Sequence, residues 1–555
     1  MNGDIRSSNT DALGGNPRTV SSLSIEGPAS RGGENSSEFM AELDANREVP
    51  RDSDEGCAES SAGSAAGRTL LQGDAWRSQL FSLLVMSMVA VNFDSGGTAA
   101  TLQYLDRGCP GSALHRDDYP CLAESDQGIL GALPYIGLCV GCPFAGRALQ
   151  LVNERKIICI TLHLNALATL VFGCVIGRWQ LLTSKFLIGL THSAICVYIP
   201  VWVDGFAPEE RKATWVGVVQ GCGALGAMFG YAVTAYLAAS GLYFQIAFRL
   251  QAAWILACAV ILIAVPDYMV NLSCHLGGRT VSQTELLSFL GEAGQGRASL
   301  NRGMVSGSFN FAEAAAAARR SGSDGRLTSQ LASLATNGLF LACSIGLSCL
   351  FFVMTAVQFW ASKFFEKVFH RPNVEVATTF IVVASSAPVA GVLLGGVLVD
   401  RLTGDEPRAL ARMVLIWSVI AVSAGIGSAS MPTTNEEWLE VGYWAEVSLV
   451  WLLLFFGAMM LPPVMRLMFH AIPESEMKAL ANALNTLLSN VLGYALGCAL
   501  PGQVSSELMK HGYTSARSLH ISMQIVFLSG SFCGMICMVT ALILVSRRTA
   551  SLASA

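Results

Sequence analysis

The 555-residue sequence predicts an all-α membrane protein, with twelve transmembrane helices in two pseudo-symmetric six-helix bundles. Three observations carry this. Hydrophobic residues make up 52% of the chain and charged residues only 14%; soluble domains carry roughly 25% charged residues, so lipid is the implied solvent. Twelve apolar runs approach the roughly 20 residues that a spanning helix needs. A glycine-led turn follows the second run of each six-run block, which makes the chain two related halves.

The runs centre on residues 79–102, 127–146, 157–177, 180–202, 213–238, 247–265, 337–360, 375–399, 410–430, 445–468, 479–501 and 521–545. Several contain glycines and polar residues, as helices facing a bundle interior do. Lys and Arg in the connections set the orientation. Arg147, Arg155, Lys156, Arg211, Lys212, Arg401, Arg408, Arg412, Arg466 and Lys478 gather on one side, together with the arginines of 267–336. The other side holds fewer, among them Arg107, Arg178, Lys363, Lys367, Arg371 and Lys510. Both termini are therefore expected in the cytosol, and the sequons at Asn35 and Asn271 are expected to stay unused.

Residues 1–75 are rich in Ser, Gly, Asn, Asp and Glu, cannot bury a core, and read as a disordered cytosolic tail. Residues 76–266 and 337–548 form the N- and C-terminal bundles, and 549–555 a second short tail. The 267–336 segment reads as a cytosolic linker, with a short helix expected around 312–320. The net charge of −5 argues against a nucleic-acid partner. No Walker A, Ser-His-Asp or HExxH pattern appears, so neither an enzyme nor a cofactor is expected. The sixteen cysteines lie mostly inside apolar runs, where they act as small apolar residues. Cys139 and Cys142 have no second pair, so no metal site is expected. Cys109 and Cys121 share one polar loop, where a disulfide and two free thiols are both compatible with the sequence.

Charges at bilayer depth are costly and so are functional candidates by default. Asp94 in span one would face a central cavity, taking protons or pairing a cation. Lys185 and His192 in span four are seven residues apart, two helical turns, and so share a face. Lys185 would pair with Asp94 or attract an anionic headgroup. His192 would titrate near neutrality. His163, alone on an apolar run, reads as a packing residue. Gln220, Gln358, Asn482, Asn485 and Asn490 are uncharged candidates for substrate contact, and Trp360 reads as an interface anchor. Glycines of span five (Gly217, Gly221, Gly223, Gly226, Gly230), span eight (Gly391, Gly395) and span eleven (Gly493, Gly497) read as helix-packing surfaces.

The glycine-led turn itself points to gating. Its second copy reads Gly396-Val397-Leu398-Val399-Asp400-Arg401, and its first reads Gly146-Arg147-Ala148-Leu149-Gln150. Asp400 could cap a neighbouring helix N-terminus, favourably with the helix dipole, with Asp204 and Arg211 as partners at the matching turns. Gln150 supplies no charge, so the lock from the first half should be weaker.

Twelve spans, a long middle connection and the repeated Gly-x-x-x-Asp-Arg turn resemble the major facilitator superfamily over residues 76–548. The turn after span four, Asp204-Gly205-Phe206-Ala207-Pro208-Glu209-Glu210-Arg211, and its counterpart Pro473-Glu474-Ser475-Glu476-Met477-Lys478 agree with that family. Asn92-Phe93-Asp94 and Lys185-Phe186-Leu187-Ile188-Gly189-Leu190-Thr191-His192 are most similar to Spinster-like lipid transporters, with Lys and His where that group has Arg and Glu. The resemblance implies a secondary active or facilitative transporter working by alternating access, with one site between the halves. It implies a lysophospholipid or sphingoid lipid as substrate. A polar solute, such as a sugar or organic anion, is the alternative, and a non-transporting membrane receptor a remote one. The expected partners are that substrate and the bilayer; no sequence feature sets an oligomeric state.

Overall fold

The computed structural model describes residues 75–105, 121–174, 177–208, 211–271, 324–403, 406–431, 439–472 and 475–554. Among them, twelve helices are long and apolar enough to cross a membrane. They are α1 (Ala75–Leu105), α2 (Glu124–Leu151), α3 (Glu154–Gly173), α4 (Arg178–Phe206), α5 (Lys212–Ala239) and α6 (Gln245–Ala264). The second six are α7 (Gly338–Phe369), α8 (Asn373–Leu402), α9 (Pro407–Ala429), α10, α11 and α12 (Ser515–Ser554). Helix α10 is Leu439–Met459 continued by Leu461–His470, the break falling just before Pro462 and Pro463. Helix α11 runs Ser475–Leu488, then a π-helical stretch Ser489–Ala495, then Leu496–Lys510. An even number of spans puts the start of α1 and the end of α12 on one face, called here the end face; the other is the far face.

The two halves repeat one packing scheme. Helix α1 packs on α5, α2 on α4 and α3 on α6; α7 packs on α11, α8 on α10 and α9 on α12. The halves meet along α2/α11 and α5/α8, with α1 against α7. Helix–helix approach in lipid rests on small residues, because lipid tails supply no hydrophobic drive between helices. A Cβ on Gly230 of α5 would sit 2.0 Å from the Phe93 carbonyl oxygen of α1, and one on Gly189 of α4 2.0 Å from that of Pro134 on α2. Gly391 and Gly395 face the α10 backbone in the same way, and Gly493 and Gly497 face α7. The expected stripe on α5 is narrower than its glycines: Gly226 and Gly230 pack, whereas Gly217 and Gly221 have open space where a side chain would be.

Helix α7 extends past the apolar run to Phe369. Lys363 and Lys367, read from sequence as connection charges, therefore lie on a helix inside the bundle. Trp360 is not an interface anchor: it is fully buried, and its indole N–H donates to the Cys498 carbonyl of α11 at 2.9 Å. It belongs to an apolar cluster that joins both halves, with Leu102 and Tyr231 on one side and Phe364 and Phe380 on the other.

The 267–336 segment starts and ends in helices, Asp267–Val270 and Asp324–Thr336. The first is tied down: Tyr198 and Trp202 donate to the Val270 and Met269 carbonyls, and Arg155 pairs with Asp267 at 2.6 Å. Asn271 is buried and accepts from the Arg155 backbone N–H. The expected helix at 312–320, Asn35 and most of the 1–75 tail lie outside the described residues.

Candidate functional site

Between the halves lies a small cavity of about 40 Å³. Asp94, Thr98, Gly131 and Tyr135 line it from the first half, and Thr355, Gln358 and Phe359 from the second. Gly96 lets α1 press on α5 here; a Cβ would meet the Ala227 carbonyl oxygen at 1.7 Å.

Asp94, on the wall of this cavity, forms an ion pair with Lys185, the carboxylate 2% and the lysine 0% exposed. The Lys185 ammonium also donates to the Thr98 hydroxyl, which itself donates to the Asp94 backbone carbonyl. It stands 4.0 Å from the ring centroid of Phe172 and 5.2 Å from that of Phe248. A desolvated cation over an aromatic face gains about 2 kcal/mol. The lysine does not snorkel. Gly189, one turn further along α4, brings that helix close enough to α2 to seat the pair.

His192 lies two turns along the same face of α4, and its Nε2 is buried with no hydrogen-bond partner among the described residues. Its neighbour Thr191 is held by the Asn165 amide at 2.9 Å. His163 Nδ1 contacts the Cys159 carbonyl at 2.7 Å, the local satisfaction expected of a packing histidine.

The second half contributes neutral polarity. Gln358 lines the cavity. Thr355 and Asn485 are buried, and each keeps one polar oxygen without a partner. Asn490 donates to the Thr486 carbonyl at 2.9 Å, inside its own helix. Asn482 is half-buried and accepts from Thr486 through its backbone. The side chains of Gln220, Gln150 and Asp204 lie outside the described residues. The π-helical stretch of α11 aims Tyr494 at the site: its ring stacks on Tyr135 at 5.0 Å and on Phe351 at 4.9 Å, bridging the halves.

The far face is closed by a polar cluster that sequence reasoning missed. Glu124, at the start of α2, is 3% exposed. It pairs with Lys363 at 3.1 Å and Lys367 at 3.4 Å, both on α7. It also accepts from Ser505 of α11 and Ser515 of α12. Lys363 donates in addition to Gln127 at 2.8 Å. A Cβ on Gly502 would lie 2.2 Å from the Glu124 carbonyl oxygen, so α2 and α11 touch backbone to backbone. A second buried carboxylate, Glu446 on α10, accepts from Ser428.

At the end face, the ion pairs among the described residues stay within one half. Asp400 pairs with Arg466 at the end of α10. Arg401 and Arg211 are exposed, and Gly146 and Gly396 are buried in the α2 and α8 ends. Cys121 is disulfide-bonded; Cys109 lies outside the described residues. No group of acids, histidines and cysteines among the described residues has the geometry to hold a metal.

A model of the Major Facilitator Superfamily matches residues 78–498, more than half of the chain. The chain therefore belongs to this superfamily. Among curated proteins it is 22% identical over 307 residues to "Probable sphingolipid transporter spinster homolog 2" of Arabidopsis thaliana. That match covers 55% of this chain and 55% of the relative's length. It is also 22% identical over 388 residues, 70% of each chain, to spinster homolog 3 of the same plant. Among solved structures, a bacterial homolog of the human lysosomal transporter Spinster, inward-facing and occupied, superposes with a TM-score of 0.60 at 14% identity. That superposition covers 86% of this chain and 98% of the other. A proton:xylose symporter superposes with a TM-score of 0.53 at 14% identity, covering 83% of this chain and 95% of the other. At such identities these structures establish the shared fold alone.

Proposed function

We propose that the chain is a secondary transporter working by alternating access, and that it carries a lysophospholipid or sphingoid lipid through the cavity between its halves. The observation that carries this is the buried ion pair that Lys185 makes with Asp94, a residue of that cavity's wall. A buried ion pair adds little stability over well-packed apolar residues of similar volume, so its retention calls for a role in function. A proton on Asp94 would weaken the pair and free the Lys185 ammonium for an anionic headgroup. The ring stack of Tyr135, Tyr494 and Phe351 offers apolar surface beside it for a chain.

The cluster at Glu124 supports reading the described state as closed on the far face. With the termini in the cytosol, that closure is on the outward side. In this reading the two bundles are the rocking bodies, joined by the 267–336 linker, and Asp400 with Arg466 braces the second bundle against the end-face opening. The names of the plant relatives supply the lipid class. The cavity, about 40 Å³, must widen for this cargo as for the alternative, a polar solute of sugar size.

The deciding experiment is flux into proteoliposomes, comparing sphingosine and lysophosphatidylcholine with xylose and a small organic anion. Uptake of the lipids, faster with a proton gradient, is the expected result. Saturable uptake of the sugar or the anion without lipid movement would replace the lipid reading. Binding of any of them without flux would leave a receptor.

A further inference from the structure

A second cavity, about 630 Å³, opens on the lipid-facing side of the second half, away from the Asp94 site. Its walls are Thr379, Val382 and Val383 of α8 and Trp444, Val447 and Trp451 of α10. Val382 is 58% and Trp444 49% exposed, so the groove is open to the bilayer, where hydrocarbon is the solvent. The walls are tailored to stay apolar. The Trp451 indole donates to Ser386 at 2.9 Å, and the Tyr443 hydroxyl beside the rim donates to Thr379 at 3.0 Å, so these polar groups are satisfied within the protein. Its volume falls within the roughly 300–1,000 Å³ usual for ligand sites.

A charged triad caps the outer end of this groove. Glu375 lies one turn outward of Thr379 on α8, and Glu440 one turn outward of Trp444 on α10. Arg371 sits between them, 3.7 Å from Glu375 and 4.0 Å from Glu440, with its guanidinium 5.0 Å over the Tyr443 ring. Both ion-pair distances exceed a hydrogen bond, so the guanidinium fork keeps donors for a pair of anionic oxygens. Two carboxylates beside one cation reject a purely anionic headgroup, since the local sum is negative. They fit a headgroup that carries both signs: a phosphate for Arg371, and an ammonium for Glu440, whose side chain is 76% exposed. The groove below runs about 12 Å into the hydrocarbon, from the level of Glu375 to that of Val383.

We propose that this groove is a binding site for one zwitterionic phospholipid of the far-face leaflet, its headgroup on Arg371 and Glu440 and one acyl chain between α8 and α10. The occupant is resident bilayer lipid, distinct from the transported molecule.

Quenching of tryptophan emission by phospholipids with brominated chains tests it on the full chain in nanodiscs, because Trp444 and Trp451 line the groove. The component lost in Trp444→Phe and Trp451→Phe variants reports the site. Brominated phosphatidylcholine should quench that component at least fivefold more effectively than brominated phosphatidylglycerol. Arg371→Gln should abolish the preference. Glu440→Gln, at an exposed position where folding is not at stake, should bring phosphatidylglycerol up to the level of phosphatidylcholine. Equal quenching by both lipids in the unaltered protein would overturn the proposal, as would an absence of quenching with native mass spectrometry showing a dimer over this face. Displacement of the bromolipid by lysophosphatidylcholine during turnover would reassign the groove to the cargo path and so also overturn it; failure of transport alone would leave the quenching result standing.

Discussion

Glu124 on α2 meets Lys363 on α7 at 3.1 Å, across the boundary between the halves and out of contact with water. One carboxylate of the first half thereby holds groups on α7, α11 and α12. Opening the far face must break every one of these contacts at once.

Glu124→Gln keeps the shape and removes the charge. A hydrogen bond to a charged group is worth about 1.5–3 kcal/mol, so the closed far face should lose at least about tenfold in population relative to the open one. Hydrogen–deuterium exchange would report it, with faster exchange at the start of α2 and over 363–369 of α7. Unaltered protection at both places would show that the cluster does not hold the gate.

Asp94→Asn should abolish proton-driven uptake in reconstituted vesicles while the protein still reaches the membrane. Lys185 would then be an unpaired buried cation, a situation that costs about 3–5 kcal/mol, so a lower melting temperature should accompany the loss. Lys185→Met in the same background should restore the melting temperature without restoring flux. Uptake that still responds to an imposed pH gradient in Asp94→Asn would remove this residue from the mechanism.

His192 has a buried ring nitrogen with no hydrogen-bond partner among the described residues. Protonation would give that nitrogen a proton and a charge with nothing to receive either, so acid should disfavour the described state. His192→Gln cannot gain the charge, and the acid limb of the pH profile of transport should flatten. A profile superimposable on that of the unaltered protein would assign His192 to packing.

Gly230→Val places branched carbons against the Phe93 carbonyl of α1. Overpacking of this kind costs about 1–3 kcal/mol, and the displaced α1 carries Asp94 with it, so both thermal stability and flux should fall. Gly217→Val, facing open space on the same helix, should cost far less. Equal losses would mean that the α1/α5 contact is not what limits the substitution.

The spans and the central pair were legible for one reason: a charge inside an apolar run stands out against its surroundings. Asp94 and Lys185 each interrupt such a run, and pairing was one of two roles the sequence left open for Lys185, beside contact with an anionic headgroup. Glu124, Lys363 and Lys367 were not legible as a unit, because they sit at the ends of apolar runs, where charges are common and cheap. The one available sign was the four-residue spacing of the two lysines, which places both on one face of an extended α7. The partner of Asp400 was missed for a different reason. The turn repeats in sequence, so its partners were sought in the matching turns, whereas Arg466 approaches from the bent end of α10, a tertiary detail of the Pro462-Pro463 break. Gly217 and Gly221 show the converse error, since glycine composition alone does not say which way a helix faces.

The π-helical stretch of α11 also acts as a phase setter. Each residue advances a helix by about 100°. The wider turns of this stretch absorb one extra residue, so straightening 489–495 into an α-helix at unchanged length would turn everything beyond it by about that angle. Tyr494 would swing off Tyr135, and Gly502 would leave the Glu124 backbone with a side-chain-bearing neighbour in its place. The aromatic bridge at the cavity and the tight backbone contact at the far face are therefore indexed to the same inserted residue. Loss of the π-helical ladder there would spoil both together, even though neither contact would be the one altered.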